Sequence, residues 1–303
     1  MNTLKFQNKN LVATEQHDLK NAKVETYQLF GRDVQLYVPC NLNLSVTTAC
    51  HNKCSFCIDR ENIHDNAGDQ LYYGNLEHVL DALDPTKFEI TITGGEPTLC
   101  RDRLLNTMRM CRERGFECRT FSSTGINMMD ESKGEPICKK MVDEGFVHNI
   151  NISRMCIDDA QNDQIFGNRN IGNDELEKLA FFFKNNGAEM RLSCNLQKGV
   201  VDSMEKIEEY IRFYRARGID TFIFRELVGD FDYAVKLDDI FNADKFRYLE
   251  TVDRYFYKID VYEYDGLTAK HYTDNKVNKD IYGALSYRNG VLRKGFKGEQ
   301  IYG

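Results

Sequence analysis

The feature that most restricts the fold is a regular alternation of short strand-like runs with amphipathic helical segments between about residues 42 and 258. Six runs are rich in β-branched or aromatic residues and are bounded by glycine or polar turns, which is typical of strands. They are residues 42–48, 88–93, 117–123, 147–153, 189–195 and 220–227. Strands that alternate with helices form a parallel sheet joined by right-handed crossovers.

The segments between these runs carry apolar residues at helical spacing, as Ile207, Ile211 and Tyr214 illustrate. Asn173 and Asp202 stand where helix N-caps belong. Four predicted helices end at a glycine, which tolerates the left-handed conformation that closes a helix. These glycines are Gly115, Gly145, Gly187 and Gly218. A doubly wound sheet would satisfy the same alternation, but six units without a GxGxxG turn favour an α/β fold of the partial (β/α)6 barrel type.

Two β-rich appendages flank the predicted barrel. Residues 26–38 have the pattern of a hairpin that turns at 31–33, and Asn289 and Gly290 have the pattern of a two-residue hairpin turn near the C-terminus. We therefore expect three parts: an N-terminal extension with a hairpin (1–40), the barrel (41–230), and a C-terminal extension with a helix and a β-hairpin (231–303).

Composition and charge exclude several classes of function. The net charge is −7 and no dense run of Lys or Arg is present, so no groove for long nucleic acid is expected. No stretch approaches the ~20 apolar residues of a membrane span, and residues 1–20 lack the apolar core of a signal peptide. We expect a cytoplasmic protein whose ten cysteines are thiols or metal ligands, because that compartment is reducing.

Three cysteines, Cys50, Cys54 and Cys57, follow the first predicted strand at CxxxCxxC spacing. A loop that leaves a parallel strand lies at the carboxyl edge of the sheet, where α/β proteins form their sites. Thiolates suit iron–sulfur clusters, and three ligands for a four-iron cluster leave one iron open to a substrate or cofactor. The alternative is a zinc site with His51 or a distant residue as fourth ligand, although His51 adjoins Cys50 and closes a tetrahedron awkwardly.

With Phe56 before the last cysteine, this segment resembles the signature of the radical S-adenosylmethionine (SAM) superfamily. The second strand runs into Gly94, Gly95, Glu96 and Pro97, which resemble the GGEP motif of that superfamily. The resemblance covers about residues 40–230 and is nearest to the branch that includes the molybdenum-cofactor enzyme MoaA and the SPASM proteins. Many of those proteins carry cysteines for auxiliary clusters after the barrel, but this chain has no cysteine beyond Cys194.

The resemblance implies a [4Fe–4S] cluster at the three cysteines, SAM as second cofactor, and a one-electron donor such as flavodoxin or ferredoxin. In that family, reductive cleavage of SAM gives a 5′-deoxyadenosyl radical that abstracts hydrogen from substrate, while the protein binds and orients the reactants. The resemblance also implies which residues contact SAM. Phe56 and the backbone of Leu227 would lie near adenine, Ser153 at the ribose, and Asn195 would face SAM. At the methionine ammonium, Gly94 and Gly95 would offer backbone carbonyls and Glu96 a charged acceptor.

Each of these residues also has a structural interpretation. The two glycines can belong to an ordinary turn, Phe56 can pack in the core, and Ser153 and Asn195 can satisfy strand ends. Among the other cysteines, Cys111 shares a helical face with apolar residues and is expected in the core. The pair Cys156 and Cys194 is expected to point towards the helices, and Cys40, Cys100, Cys118 and Cys138 show no partner pattern.

The substrate is indicated only by polar residues expected on the inner face of the barrel. They are Asn43, Ser45, Thr91, Arg119, Asn151, Arg191 and Arg225. Three arginines at the mouth of an acidic protein indicate a small anionic substrate, because guanidinium binds carboxylate or phosphate in a bidentate manner; each can equally pair with a local acid. Arg154, Asp158 and Asp159, after the fourth strand, are further candidates.

We therefore expect a radical SAM enzyme that acts on a small, anionic metabolite. A first alternative is the same chemistry on a ribosomally made peptide. A second is a non-enzymatic binding protein stabilised by zinc or an iron–sulfur cluster. The fold does not specify the reaction outcome.

Overall fold

The computed structural model describes residues 10–14, 23–60, 67–132, 134–144, 148–253, 257–264, 267–274, 281–296 and 298–303. Its strands are β1 (Asn10–Thr14), β2 (Lys23–Leu29), β3 (Arg32–Ser45), β4 (Phe88–Thr93), β5 (Glu117–Ser123), β6 (Asn149–Ser153), β7 (Glu189–Asn195), β8 (Thr221–Arg225), β9 (Arg247–Asp253), β10 (Tyr257–Tyr264), β11 (Leu267–Asp274), β12 (Tyr282–Arg288), β13 (Val291–Lys294) and β14 (Gln300–Tyr302). Its α-helices are α1 (Asp69–Asp81), α2 (Arg101–Glu113), α3 (Ile137–Asp143), α4 (Asp159–Phe166), α5 (Asn173–Asn185), α6 (Met204–Arg215) and α7 (Leu237–Ile240), and 3-10 turns occupy Pro97–Cys100 and Ala243–Lys245.

The described strands form one sheet in the order β14-β13-β12-β3-β4-β5-β6-β7-β8-β1-β11-β10-β9, with β2 paired to β3 off this path. Strands β3 to β8 are neighbours in chain order and parallel. Strand β1 then pairs antiparallel with both β8 and β11, and β12 pairs parallel with β3 on the other side. The fold is the predicted partial (β/α)6 barrel with a β-rich extension.

The two faces of the barrel strands differ in polarity. In β4, buried Phe88, Ile90 and Ile92 alternate with half-buried Glu89 and Thr91. The apolar residues belong to the hydrophobic core between the sheet and the helices, where burying one such side chain contributes about 1.5–3 kcal/mol. The polar residues of each strand therefore face the interior of the barrel.

Strands β4, β5 and β7 have the predicted bounds, and the observed β6 and β8 lie within the predicted runs. Strand β3 begins ten residues earlier than the predicted run, because its first half pairs with β2 and its second half with β4. Gly115, Gly187 and Gly218 have φ near +80°, which confirms that glycines close these helices. The prediction at Gly145, like residue 147 of the predicted fourth strand, lies outside the described residues.

Three local predictions were wrong. The N-terminal hairpin turns at Phe30 and Gly31, not at 31–33, because Leu29 pairs with Arg32 and both turn residues have positive φ. Gly172, not Asn173, precedes α5. The N-cap of α6 is Ser203, not Asp202, and its hydroxyl accepts the Lys206 N–H.

The C-terminal hairpin turn at Asn289 and Gly290 is confirmed, with φ of +50° and +81° between β12 and β13. Strand β3 passes residue 40 without a break, so the three-part division of the chain stays a prediction. Among the described residues, no helix has the length and apolar character needed to cross a membrane.

Candidate functional site

The loop that follows β3, residues 46–60 and named the cysteine loop, carries the three motif cysteines at the carboxyl edge of the sheet. All three are half-buried free thiols. Burial, followed by repulsion from Cys57 and Cys50, raises the pKa of Cys54 to about 12. Burial also raises the pKa of Cys50 and of Cys57. Their mutual electrostatic influence shows that the three sulfurs lie near one another.

A backbone N–H group points at one of these sulfurs. The Asn52 N–H donates to Cys50 Sγ over 3.4 Å. Among the described residues, no three His, Cys, Asp or Glu side chains converge on a point that could hold a single metal ion. A four-iron cluster does not need such a point, because each cysteine binds a different iron.

The cysteine loop is held mainly by the segment that ends α4. The Lys53 N–H donates to the Phe166 carbonyl over 2.8 Å, and the Asn52 and Asn170 side chains bond each other. Phe56 is half-buried and meets the Phe166 ring edge-on at 6.4 Å between centroids. The loop conformation therefore depends on contacts that lie more than a hundred residues away in sequence.

Gly94 and Gly95 place the second motif directly against the cysteine loop. The Gly95 N–H donates to the Thr47 carbonyl over 2.7 Å, and the Glu96 N–H donates to the Ala49 carbonyl over 2.8 Å. A Cβ at Gly94, whose φ is +143°, would lie 2.3 Å from the Thr47 oxygen, and one at Gly95 would lie 2.2 Å from the Ala49 oxygen. Any side chain at either position would push the two motifs apart.

Glu96 is fully buried, and both oxygens of its carboxylate accept hydrogen bonds from protein groups. One oxygen accepts from the Thr98 N–H and hydroxyl and from the Ser123 hydroxyl. The other accepts from the Thr124 N–H and hydroxyl at 2.8 and 2.7 Å. The carboxylate thus ties the glycine motif to the end of β5, and its predicted role as an acceptor for SAM stays a prediction.

The remaining residues predicted to contact SAM lie at the same sheet edge. Ser153 and Asn195 are half-buried at the last positions of β6 and β7, and the Asn195 N–H donates to Met155 Sδ over 3.3 Å. Leu227 is buried two residues after β8 and lies outside the main core cluster. The structure brings these residues to one edge, and their contacts with SAM stay predictions.

Arg154 was wrongly predicted as a substrate contact. Its side chain is completely buried, and it donates to the carbonyls of Cys156 and Ile171 and to the Tyr214 hydroxyl. It also pairs with Asp159, while Asp158 caps α4. The Arg154 side chain points out of the barrel, because neighbouring side chains along a strand point to opposite faces and Ser153 faces inwards.

The three interior arginines do not share one environment. Arg119 is the third residue of β5, far from the carboxyl edge, and pairs with Glu89 at 3.2 Å. Arg191 donates to the Thr120 hydroxyl over 3.1 Å. Arg225 ends β8, and its Nε is shielded from solvent without a hydrogen-bond partner among the described residues. Burial, and then repulsion from Arg191, lowers the pKa of Arg225 to about 10. The prediction of three arginines at the mouth holds for Arg225 alone.

Asn43, Ser45, Thr91 and Asn151, the other predicted interior residues, are buried or half-buried polar groups. Thr91 donates to the Asn41 amide oxygen over 2.9 Å, Asn41 donates to Asn43, and Asn43 donates to the Leu285 carbonyl. These hydrogen bonds lie in the half of the barrel interior that is away from the carboxyl ends of the strands. The hydroxyl groups nearer the mouth are therefore better placed to meet a ligand.

The prediction that Cys111 lies in the core is confirmed, since it is fully buried in the main cluster. Cys194, also predicted to point towards the helices, is buried there too, and Cys156 is buried. Of the four cysteines without a pattern, Cys40, Cys118 and Cys138 are in the core and Cys100 packs half-buried against it.

One contact of the site escaped the sequence analysis. Arg288, the last residue of β12, donates to Asp59 in the cysteine loop over 2.6 Å. The two residues are 229 positions apart, and only the pairing of β12 beside β3 brings them together. Nothing local in the sequence signals this contact.

Comparison with known proteins points to one superfamily. The family described as a 4Fe–4S single cluster domain matches residues 41–165, which contain both motifs. GTP 3′,8-cyclase (MoaA) of Staphylococcus saprophyticus is 26% identical over 259 residues, covering 81% of this chain and 71% of that protein. The Staphylococcus carnosus protein of the same name is 25% identical over 259 residues, with the same coverage. These matches support the radical SAM superfamily as the family of this chain.

Among solved structures, this chain is similar to Streptococcus suis SuiB bound to the precursor peptide SuiA. It is 23% identical, with a TM-score of 0.48, and the match covers 60% of this chain. The chain spans 38% of the length of SuiB.

The matching family is described by a single 4Fe–4S cluster, and the site fits such a cluster. Three half-buried thiols on one short loop, with a backbone N–H group aimed at the Cys50 sulfur, are a suitable donor set. Both ring nitrogens of His51, next to Cys50, are buried and have no hydrogen-bond partner among the described residues. A group bound beside the cysteine loop would offer such partners. A positive iron core would also neutralise the thiolates whose pKa burial now raises.

Proposed function

We propose that this radical SAM enzyme binds its cluster through Cys50, Cys54 and Cys57 and acts on a small, anionic metabolite. The observation that carries the proposal is the placement of three half-buried thiols beside the Gly94–Glu96 motif at the carboxyl edge of the barrel. When bound, the cluster and SAM supply a 5′-deoxyadenosyl radical by reductive cleavage, and this radical abstracts hydrogen from the substrate.

The chain's own residues hold and orient SAM in this proposal. Gly94 and Gly95 present backbone carbonyls where no side chain intervenes, and Phe56 packs near adenine. Ser153 and Asn195 offer polar groups at the ends of β6 and β7, and Leu227 offers its backbone after β8. Glu96 supports this edge by joining the glycine motif to Thr124, because both of its carboxylate oxygens already accept hydrogen bonds from protein groups.

An anionic substrate is supported by the electrostatics of Arg225. A buried guanidinium normally has a carboxylate partner, because an unpaired charge in the interior is costly. Here burial and the neighbouring Arg191 lower the pKa of Arg225, with no carboxylate of a described residue offsetting them. A carboxylate or phosphate of the substrate would supply the missing charge with bidentate geometry. Ser45, at the carboxyl end of β3, and Asn151, in the middle of β6, add polar groups for a hydrophilic metabolite.

The anion site is tested by replacing Arg225 with Gln and by using Arg119→Gln as the matched control on the same inner surface. We expect inorganic pyrophosphate or citrate to raise the melting temperature of the wild-type protein and of the Arg119→Gln variant. The Arg225→Gln variant should lose this response, because the unpaired cation is gone. An equal response in all three proteins would contradict the anion site.

The cluster and SAM cleavage are tested by anaerobic reconstitution. We expect about four iron and four sulfide per chain, as a [4Fe–4S] cluster requires, and 5′-deoxyadenosine after addition of SAM and dithionite. Replacing Cys50, Cys54 and Cys57 by Ala should abolish both, whereas Cys100→Ala should retain them. Stoichiometric zinc without sulfide, or cleavage that persists in the triple variant, would refute the proposal and favour a metal-stabilised binding protein.

We further propose an acidic one-electron carrier, such as flavodoxin or ferredoxin, as the physiological reductant. The exposed cations Lys53, Arg60 and Arg169 lie on or beside the cysteine loop of a chain whose net charge is −7. Such a local positive patch attracts acidic partners. We place the enzyme in the cytoplasm, where thiols remain reduced. A ribosomal peptide is the alternative substrate, and radical transfer to a precursor peptide encoded beside this gene would favour it.

A further inference from the structure

The hairpin formed by β12 and β13 is firmly attached to the barrel. Strand β12 pairs in parallel with β3, and Arg288 lies opposite Ser45. Buried Tyr287 donates to the Tyr72 carbonyl, and their rings meet edge-on at 5.4 Å between centroids. Because the end of β12 is fixed by both contacts, a side chain projecting from it has a defined position.

Arg288 projects from this fixed strand onto the cysteine loop. Its guanidinium lies 2.6 Å from Asp59 Oδ1, and each side chain is only 19% exposed. Shielding from solvent makes such a pair stronger than an exposed surface ion pair. Asp59 lies two residues after Cys57 in the cysteine loop. The ion pair therefore fixes the backbone directly next to the segment that carries Cys57.

The tip of the same hairpin also contacts the start of α1. The Asn75 side chain donates to the Gly290 carbonyl over 2.8 Å, and the Ala67 N–H donates to the Asn289 side chain over 3.4 Å. Gly290 lies so close to Leu71 that an added Cβ would be 3.0 Å from its side chain. Together with the Arg288–Asp59 pair, these contacts hold the hairpin against the chain before residue 61 and after residue 66.

We infer that the β12–β13 hairpin is a clamp on the cysteine loop and that Arg288 is a positioning residue for the cluster ligand Cys57. The inference rests on the proposed function to the extent that Cys57 binds the cluster. Arg288 holds Asp59 and thereby the position of Cys57 two residues before it, and its positive charge lies close to the cluster. Nearby positive charge favours the reduced cluster, which carries one more negative charge.

The test compares Arg288→Gln with Arg293→Gln, a substitution on β13 of the same hairpin whose guanidinium bonds only weakly to the Gly298 carbonyl at 3.5 Å. In the reconstituted protein, we expect Arg288→Gln to shift the cluster midpoint potential to more negative values. We also expect iron release to a chelator to be about tenfold faster, as is typical when a ligand's supporting partner is lost. Arg288→Lys should restore part of the potential shift, because it keeps the charge but loses the planar fork.

A second measurement uses the metal-free protein, so that it does not depend on the cluster. Hydrogen exchange of the amides of residues 57–60 should be faster in Arg288→Gln than in the wild type and in Arg293→Gln. Asp59→Asn should have the same effect, and the double variant should exchange no faster than either single variant. If wild-type protein takes up no cluster, the proposed function fails, while this exchange experiment still decides the clamp.

Unchanged exchange in metal-free Arg288→Gln would overturn the clamp. Faster exchange with an unchanged midpoint potential and unchanged iron release would overturn the role of Arg288 towards Cys57. Equal effects of Arg293→Gln in either measurement would show a general loosening of the hairpin and would also contradict the inference.

Discussion

Two loops leave the same edge of the barrel and use their polar residues in opposite ways. In the cysteine loop after β3, the three thiols are half-buried, and burial raises the pKa of each of them. In the loop after β6, Arg154 is completely buried, and its three guanidinium nitrogens all donate to protein acceptors. Position at the sheet edge is therefore not sufficient for a ligand role. The decisive property is bonding capacity that the fold leaves unused.

Of the effects that test this difference between the two loops, the largest is expected on cluster binding. Cys54→Ala should eliminate cluster assembly, because two remaining thiolates cannot hold the cube. Cys156→Ala, on the loop after β6, should leave iron and sulfide content at the wild-type level, because its buried thiol is expected to act only as packing. Iron and sulfide analysis after anaerobic reconstitution measures both. A cluster in the first variant, or its loss in the second, would reverse the roles given to the two loops.

The next effect concerns stability. Arg154→Met should lower the free energy of unfolding by about 3–4 kcal/mol, because Asp159 and the buried Ile171 carbonyl would lose their partner. Arg60→Gln, at an exposed position of the cysteine loop, should change it by less than about 0.5 kcal/mol. Urea unfolding of the metal-free proteins gives both values. A nearly neutral Arg154→Met would mean that this arginine is available to a ligand after all.

The smallest expected effect is a pH dependence of the metal-free protein. The pKa of Cys54 rises from an ordinary value near 9 to about 12 in the folded state. Between these pH values the folded chain binds more protons than the unfolded chain, so stability falls as pH rises from 9 towards 12. Cys54→Ser should lose less stability than the wild type between pH 8 and pH 10 in urea unfolding, and Ser55→Ala should match the wild type. An identical loss in Cys54→Ser would show that this thiol is not desolvated.

Much of the barrel was predictable because it depends on local pattern. The alternating polarity correctly predicted the first and last residues of β4, β5 and β7. The two motifs were likewise recognisable, since Cys50 to Cys57 and Gly94 to Glu96 are contiguous in sequence. These features need no knowledge of which strands are neighbours.

The errors and omissions arose where distant segments decide the structure. The N-terminal turn was misplaced by one residue because Phe30, an unusual residue at positive φ, occupies its first position. Arg154 was misassigned because its acceptors come from α5, α6 and the intervening loops. The Arg288–Asp59 pair was missed because it depends on β12 pairing beside β3. Side-chain partners thus depend on tertiary pairing, which the local pattern does not contain.

The place of β1 in the sheet has a consequence for biosynthesis. Ala13 lies opposite Phe222 in β8 and Ala269 in β11, so both partners of β1 are translated much later than β1 itself. Pairing across such separations is slow, and an unsatisfied strand edge is prone to wrong association. Strand β1 therefore takes its place in the sheet only after β8 and β11 have left the ribosome.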